Sequence, residues 1–370
     1  MRKRLHSIDT LRALAIFFIT LAHLQPFRDF ATHGNLLFFA LDTIGQFDVP
    51  FFFVTSGYFL AAKVNTHSVT ATIKGTGQKL GSIFVFGKLV SVATAALVAV
   101  IAGTSVMSEL THSLFNLSPL SLLYYGNAQT VPLWFLPALF FSIAFVSVFV
   151  KFDNTRYLLP VAALFHVVGI VAMNFEMLIE IPFPTRDALF FGFFYVALGY
   201  TIRSSDWNPD ENRSHLYLGA VVLLLGVQLA EQYAIGYLIH DNVLAQTVYT
   251  TEYTISTIFL VLALFAYALS NPGWGKNTIL PKVGRHALGI YLLHVPVFFL
   301  IHATKRYWIP VIGFDLPSTL VWQVTITPLV YVLSLGSYLL MARIGVIELE
   351  GSHIPWLGQL RARGWIPARE

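Results

Sequence analysis

The chain has 370 residues, of which 56% are hydrophobic and only 11% charged, with a net charge of +4. Soluble proteins carry about 45–50% apolar and about 25% charged residues, so too little charge is present to coat a soluble globule of this size. The composition excludes a soluble enzyme, a disordered chain and a nucleic-acid binder, and leaves a multi-span helical membrane protein. The absence of cysteine removes disulfides, thiolate nucleophiles and Cys-ligated metals.

A membrane-crossing helix needs about 20 mostly apolar residues. Ten stretches qualify in chain order: 8–25, 35–61, 80–103, 132–150, 157–174, 187–203, 216–231, 252–270, 286–303 and 318–343. The predicted fold is therefore all-α, a polytopic bundle of about ten transmembrane helices. Residues 1–343 form one membrane domain, and 344–370, with Pro355 and Pro367, form a cytoplasmic tail. The first stretch carries Asp9 and Arg12 and no small-residue cleavage site before Phe27, so it reads as a retained helix and not a signal peptide.

Loop charge orients the bundle. With the N-terminus in the cytoplasm, 17 Lys and Arg fall on the cytoplasmic side and 4 on the outer side (Arg28, Arg186, Lys305 and Arg306). Loops 104–131 and 232–251 hold none. Lys and Arg favour the cytoplasmic side, so both termini are expected there, in a multi-pass protein of the cell's cytoplasmic (inner) membrane. No internal repeat of the transporter kind stands out.

Ionisable residues inside spans are rare and usually functional. The first span has Asp9, Arg12 and His23. Arg12 and His23 are eleven residues apart, about 1100° of helical rotation, so they share a face about 16 Å apart along the axis. Asp9 stands one turn before Arg12, a spacing that permits an ion pair. The bland alternative makes Arg12 and Asp9 an interfacial anchor and His23 a boundary residue, and leaves the shared face as coincidence. The functional alternative makes that face one wall of a passage, with a cation inside and an imidazole outside.

The second span contains Asp48, Pro50, Ser56, Gly57 and Tyr58. Pro50 is expected to kink this helix, Ser56–Gly57 permits close helix approach, and Asp48 at mid-span needs a partner or water. Trp134 opens the fourth span and reads first as an interfacial belt residue. In the ninth span Tyr291 and His294 lie one turn apart. Lys74-Gly-Thr-Gly-Gln-Lys79 is like a phosphate loop in composition only, since the Gly-x4-Gly-Lys-Ser/Thr spacing is missing. The twelve histidines form no metal-ligand cluster, and no metal site is expected.

These blocks together resemble the membrane acyltransferase-3 family. Asp9-Thr-Leu-Arg12, ten residues and His23 resemble its Arg-x10-His signature. Pro50-Phe-Phe-Phe-Val-Thr-Ser56-Gly-Tyr58 is similar to its Pro-x-Phe-Phe-x-x-Ser-Gly block, and Leu133-Trp134-Phe-Leu136 to its Trp-Phe-Leu segment. Arg186 with Leu189 through Tyr200, and Gly284-Arg285 through His294-x-Pro296, resemble its remaining blocks in the family order. The chain departs at Ala287, often Ser or Thr in the family, and at Asp48, often a small residue. The resemblance implies a ten-helix enzyme moving an acyl group, most often acetyl, from cytoplasmic acyl-CoA to a hydroxyl of a carbohydrate or lipid-linked sugar outside. It makes His23 the essential histidine and Arg12 the essential arginine.

In this reading acetyl-CoA is the donor substrate and no cofactor is permanently bound. The partners are acyl-CoA, the sugar acceptor and the bilayer, with no nucleic acid and with oligomeric state left open. His23 is the general base. Arg12, Asp9, Asp48, Ser56, Tyr58, Trp134, Arg186, Tyr291 and His294 bind donor or acceptor. Asp48, Glu252 and Asp29 are candidate carboxylates for orienting His23, and direct attack on the thioester and an acyl-histidine both fit. The rivals are a flippase for polyprenyl-linked sugars without acyl transfer, and a sensor in which His23 is replaceable.

Overall fold

The computed structural model describes residues 4–64, 68–115, 118–126, 132–176 and 181–344. Among them the chain is all-helical: α1 His6–Leu24, α2 Gly34–Gly45, α3 Asp48–Val64, α4 Val69–Ala102, α5 Val106–Phe115, α6 Pro119–Leu123, α7 Phe135–Lys151, α8 Leu158–Asn174, α9 Phe193–Ser204, α10 Ser214–Tyr233, α11 Ile255–Ser270, α12 Leu280–Gly284, α13 Ala287–Ile312 and α14 Leu320–Arg343. Seven helical segments among the described residues are long and apolar enough to cross a membrane: α1, α2 with α3, α4, α8, α10, α13 and α14, some with flanking turns. Three shorter apolar helices lie at Phe135–Lys151, Ala188–Ser204 and Ile255–Ser270. The chain is a multi-pass membrane protein. The tail assigned to 344–370 lies, beyond Ile344, outside the described residues.

Several boundaries differ from the sequence reading, each for a local reason. The stretch 35–61 is two helices, broken at Gln46 and Phe47. Asp48 thus opens α3 instead of sitting at mid-span, and its carboxylate accepts from the Val49 amide. Pro50 falls in the first turn of α3, where a missing N–H takes nothing from the helix, so it does not kink it. The third stretch begins eleven residues earlier than expected, at Val69, where the Ser68 hydroxyl accepts from the Ala71 amide as an N-cap. The Lys74–Lys79 segment is therefore helix and not a loop. At the far end of α4, Gly103 has φ +69° and closes the helix in the left-handed conformation that glycine adopts without strain. The loop 104–131 carries α5 and α6.

Helices α1, α3 and α9 are mostly buried, while α4, α8, α10 and α14 show leucines and valines outward, among them Leu97, Leu164, Leu223 and Val332. That distribution suits lipid on the outside of the bundle. Within it, α3 and α9 make the most extensive contact of the fold. A β-carbon on Gly57 would run into the Val196 carbonyl, and one on Gly199 into that of Val54. The paired glycines let the two backbones touch, which is how membrane helices associate where apolar burial drives little. Phe51, Phe53, Phe191 and Phe193, all at most 2% exposed, fill the space around this crossing.

Candidate active site

Helix periodicity places the site. On α1, Arg12, Ile16, Ile19 and His23 follow steps of four and three, and on α3 the same pattern gives Val49, Phe52, Ser56, Phe59 and Lys63. Both stripes line one cavity of about 1030 Å³, whose wall is completed by Phe135, Leu136 and Leu139 of α7, Ala287, Leu288 and Tyr291 of α13, and Gly75, Thr76 and Lys79 of α4. The cavity runs the length of α1 from Arg12 to His23, about 16 Å at the helical rise.

Its two ends differ in chemistry. At the Arg12 end the lining is basic: Arg12, Lys63, Lys79 and Arg285. Asp9 stands behind the wall and is shared, with Arg4 at 2.8 Å and Arg12 at 3.3 Å. Because Arg4 takes the shorter contact and also donates through Nε at 3.0 Å, Asp9 orients Arg12 without claiming it. The guanidinium lies 5.6 Å over the Phe59 ring, which holds it facing the cavity. At the His23 end the lining mixes carboxylates and cations: Asp42, Asp48, Glu252, Arg28 and Arg186. Arg186 pairs with Glu252 at 2.9 Å and stacks 4.3 Å over Trp134, so three separate segments meet there.

His23 is open to the cavity. Its Nδ1 is 2.8 Å from the Ile19 carbonyl, and a carbonyl only accepts, so Nδ1 carries the proton and Nε2 of the neutral ring keeps its lone pair. A backbone carbonyl thus fills the role the sequence reading gave to Asp48, Glu252 or Asp29. Asp48 is engaged with its own helix start and Glu252 with Arg186. Behind His23 stands His294, fully buried, the two rings 5.0 Å apart and edge to face at 85°.

The other sequence candidates divide. Arg12, Asp48, Ser56, Trp134, Arg186 and Tyr291 line the cavity with His23. Ser56 donates to the Phe52 carbonyl, and the Tyr291 hydroxyl to that of Pro132. Asp9, Tyr58 and His294 stand behind the wall. Tyr58 turns away, its hydroxyl accepting from Arg203 at 3.1 Å. Sequence reasoning gave no binding role to Lys63, Lys79 or Arg285: Lys63 entered as a loop charge, Lys79 as the end of a dismissed phosphate-loop look-alike, and Arg285 as part of the block that leads to His294. The signal was present: Lys63 lies on the same heptad-like stripe as Ser56, and Lys79 follows once α4 is traced back to its Ser68 cap.

A family model described as an acyltransferase domain, that of acyltransferase-3, matches residues 5–341. The chain belongs to the acyltransferase-3 family. The match supports an acyltransferase and reaches from α1 into the last turn of α14. An amino-acid racemase from Enterococcus faecalis is 24% identical to this acyltransferase-3 chain over 243 residues, which are 61% of the chain and 32% of the racemase. The chain therefore corresponds to about a third of the length of that relative. No solved structure matches it.

Proposed function

We propose that this acyltransferase-3 protein is an O-acyltransferase of the cytoplasmic membrane. It takes an acetyl or other short acyl group from acyl-CoA at the Arg12 end and passes it to a hydroxyl of a cell-surface carbohydrate or lipid-linked sugar at the His23 end. The observation that carries this reading is one cavity joining a four-cation mouth to an imidazole with a fixed tautomer. The phosphates of CoA suit the basic mouth, where charge-assisted hydrogen bonds are strongest. The slender pantetheine arm suits the stretch of wall made by Ile16, Phe52, Ser56 and Phe135. At the far end His23 Nε2 takes the acceptor's proton as its oxygen attacks the thioester carbonyl, and returns it to the departing sulfur.

A flippase has no use for a basic mouth at one end and an oriented base at the other, and the family match supports acyl transfer. The racemase name stays with the relative that bears it, since two thirds of that protein lie outside the alignment.

The test uses the missing cysteines. A thiol reagent added to the purified chain with acetyl-CoA reads CoA thiol alone, with water standing in for the acceptor hydroxyl and acetate as the second product. Thiol release is expected from the parent, and a well-folded His23→Ala protein should lose about 10²–10⁴-fold of it. Equal release by the two would remove His23 from the chemistry, and no release or donor binding by the parent would remove acyl-CoA.

A further inference from the structure

The buried His294 sits against the base without reaching the cavity, and nothing in the transfer step so far uses it. Its Nδ1 lies 3.1 Å from the Ile290 carbonyl, so that nitrogen carries a proton. Its Nε2 is buried with no hydrogen-bond partner in the protein. A proton there would be a donor with nothing to receive it, so Nε2 holds a lone pair. The imidazole dipole is thereby fixed, positive towards Ile290 and negative at Nε2. His23 has the same arrangement on the facing helix, tied to Ile19. Each ring is pinned to the carbonyl one turn back on its own helix, and the pair meets edge to face.

Packing alone gives no reason for this choice. A phenyl ring would fill the same buried space without stranding an acceptor, and a stranded acceptor destabilises. The base, by contrast, has a need that His294 meets. During transfer the acceptor hydroxyl gives its proton to His23, the new oxygen–carbon bond forms, the carbon–sulfur bond breaks, and the proton leaves with the sulfur as CoA thiol. Between the first and last events His23 is an imidazolium. The cationic Arg186 acts on it from the cavity side, and on the His294 side stands Tyr291, 6.2 Å from His294 with its hydroxyl committed to Pro132.

We propose that His294 is a positioning residue for His23: it packs against the ring so that Nε2 of His23 faces the cavity, and holds a fixed dipole with an unpaired acceptor in a ring 5.0 Å, centroid to centroid, from the imidazolium formed in transfer. It takes no proton and touches no substrate. The proposal rests on the acyl-transfer reading above.

Three variants of the full chain in lipid vesicles decide it, with acetyl-CoA as the donor, water in place of the acceptor hydroxyl and CoA thiol release as the readout. His294→Phe keeps the ring and removes the dipole. It should fold at least as well as the parent and keep the donor KM within about twofold, while kcat falls about tenfold or more, as when a preorganised dipole is lost elsewhere. His294→Gln sets a carbonyl oxygen near the Nε2 position and should recover a good part of that loss. If the phenyl variant fails to fold, His294→Asn takes its place, since it keeps a donor for Ile290 and lacks the far lone pair. It should then fall below the Gln variant in kcat. A folded Phe variant with the parent's kcat overturns the proposal, as does a Gln variant no better than Phe or Asn. A parent that neither binds nor uses acetyl-CoA defeats the broader reading instead, and that outcome is visible before any variant is made.

Discussion

At the scale of the residue, the difference between Arg12 and Lys63 or Lys79 is one of geometry and not of charge. All three face the same mouth, and Lys79 feels both of the others. Arg12 is held by Asp9 at 3.3 Å and by the Phe59 ring. A guanidinium presents paired donors that match a phosphate, whereas an ammonium acts as a point charge. Arg12→Lys should therefore weaken acetyl-CoA binding by about fivefold, the equivalent of one hydrogen bond of about 1 kcal/mol. It should leave the acceptor's KM unchanged, because about 16 Å separates it from His23. Donor titration of the purified variant checks this, and unchanged affinity would return Arg12 to the plain role of an anchor for Asp9. The face shared by Arg12 and His23 was legible from the sequence because helical rotation alone decides it. The partner of His23 was not. Reading a sequence favours charged side chains as partners, while the carbonyl of Ile19 belongs to every residue type equally.

At the scale of the element, the ten apolar stretches are all helical, since length and hydropathy are enough to mark them. Their ends were less legible. Gly75, Thr76, Gly77 and Gln78 lower the apolarity of a segment that is helical all the same, because the Ser68 cap starts it and the remainder of α4 carries it. The break before Asp48 had no strong marker either, and Pro50 pointed to a kink two residues past the start of α3. Gly57 was read correctly as a site of close approach, but its counterpart was not legible, because Gly199 is 142 residues away. Their reciprocal fit gives a sharp expectation. Gly57→Ala forces a methyl group into the Val196 carbonyl and should cost about 1–3 kcal/mol, the usual range for overpacking. Gly219→Ala on α10, where nothing lies within 4 Å of the added carbon, should be neutral or stabilising by up to about 1 kcal/mol. Thermal unfolding of both variants in one detergent separates them. Equal midpoints would mean that the α3–α9 crossing yields more easily than its geometry states.

At the scale of the whole molecule, the direction of the cavity and the identity of the donor stand or fall together. The basic mouth lies at the Arg12 end, and the sequence count assigns 17 of the Lys and Arg residues to the side of the N-terminus, against 4 to the other. Positive charge retained in the cytoplasm during insertion would point that mouth at the compartment where acyl-CoA is made. The reverse orientation would open it outward, to a side without CoA. Single cysteines report the orientation cleanly in a chain that has none. Ser118→Cys and Asn242→Cys lie in the segments free of Lys and Arg at the His23 end, and Lys74→Cys and Asn208→Cys at the other. In intact cells an impermeant thiol reagent should label the first pair, and should reach the second only after the membrane is opened. Labelling of Lys74→Cys and Asn208→Cys in sealed cells would turn the cavity over, and with it would go acyl-CoA as the donor, however well the basic mouth fits its phosphates.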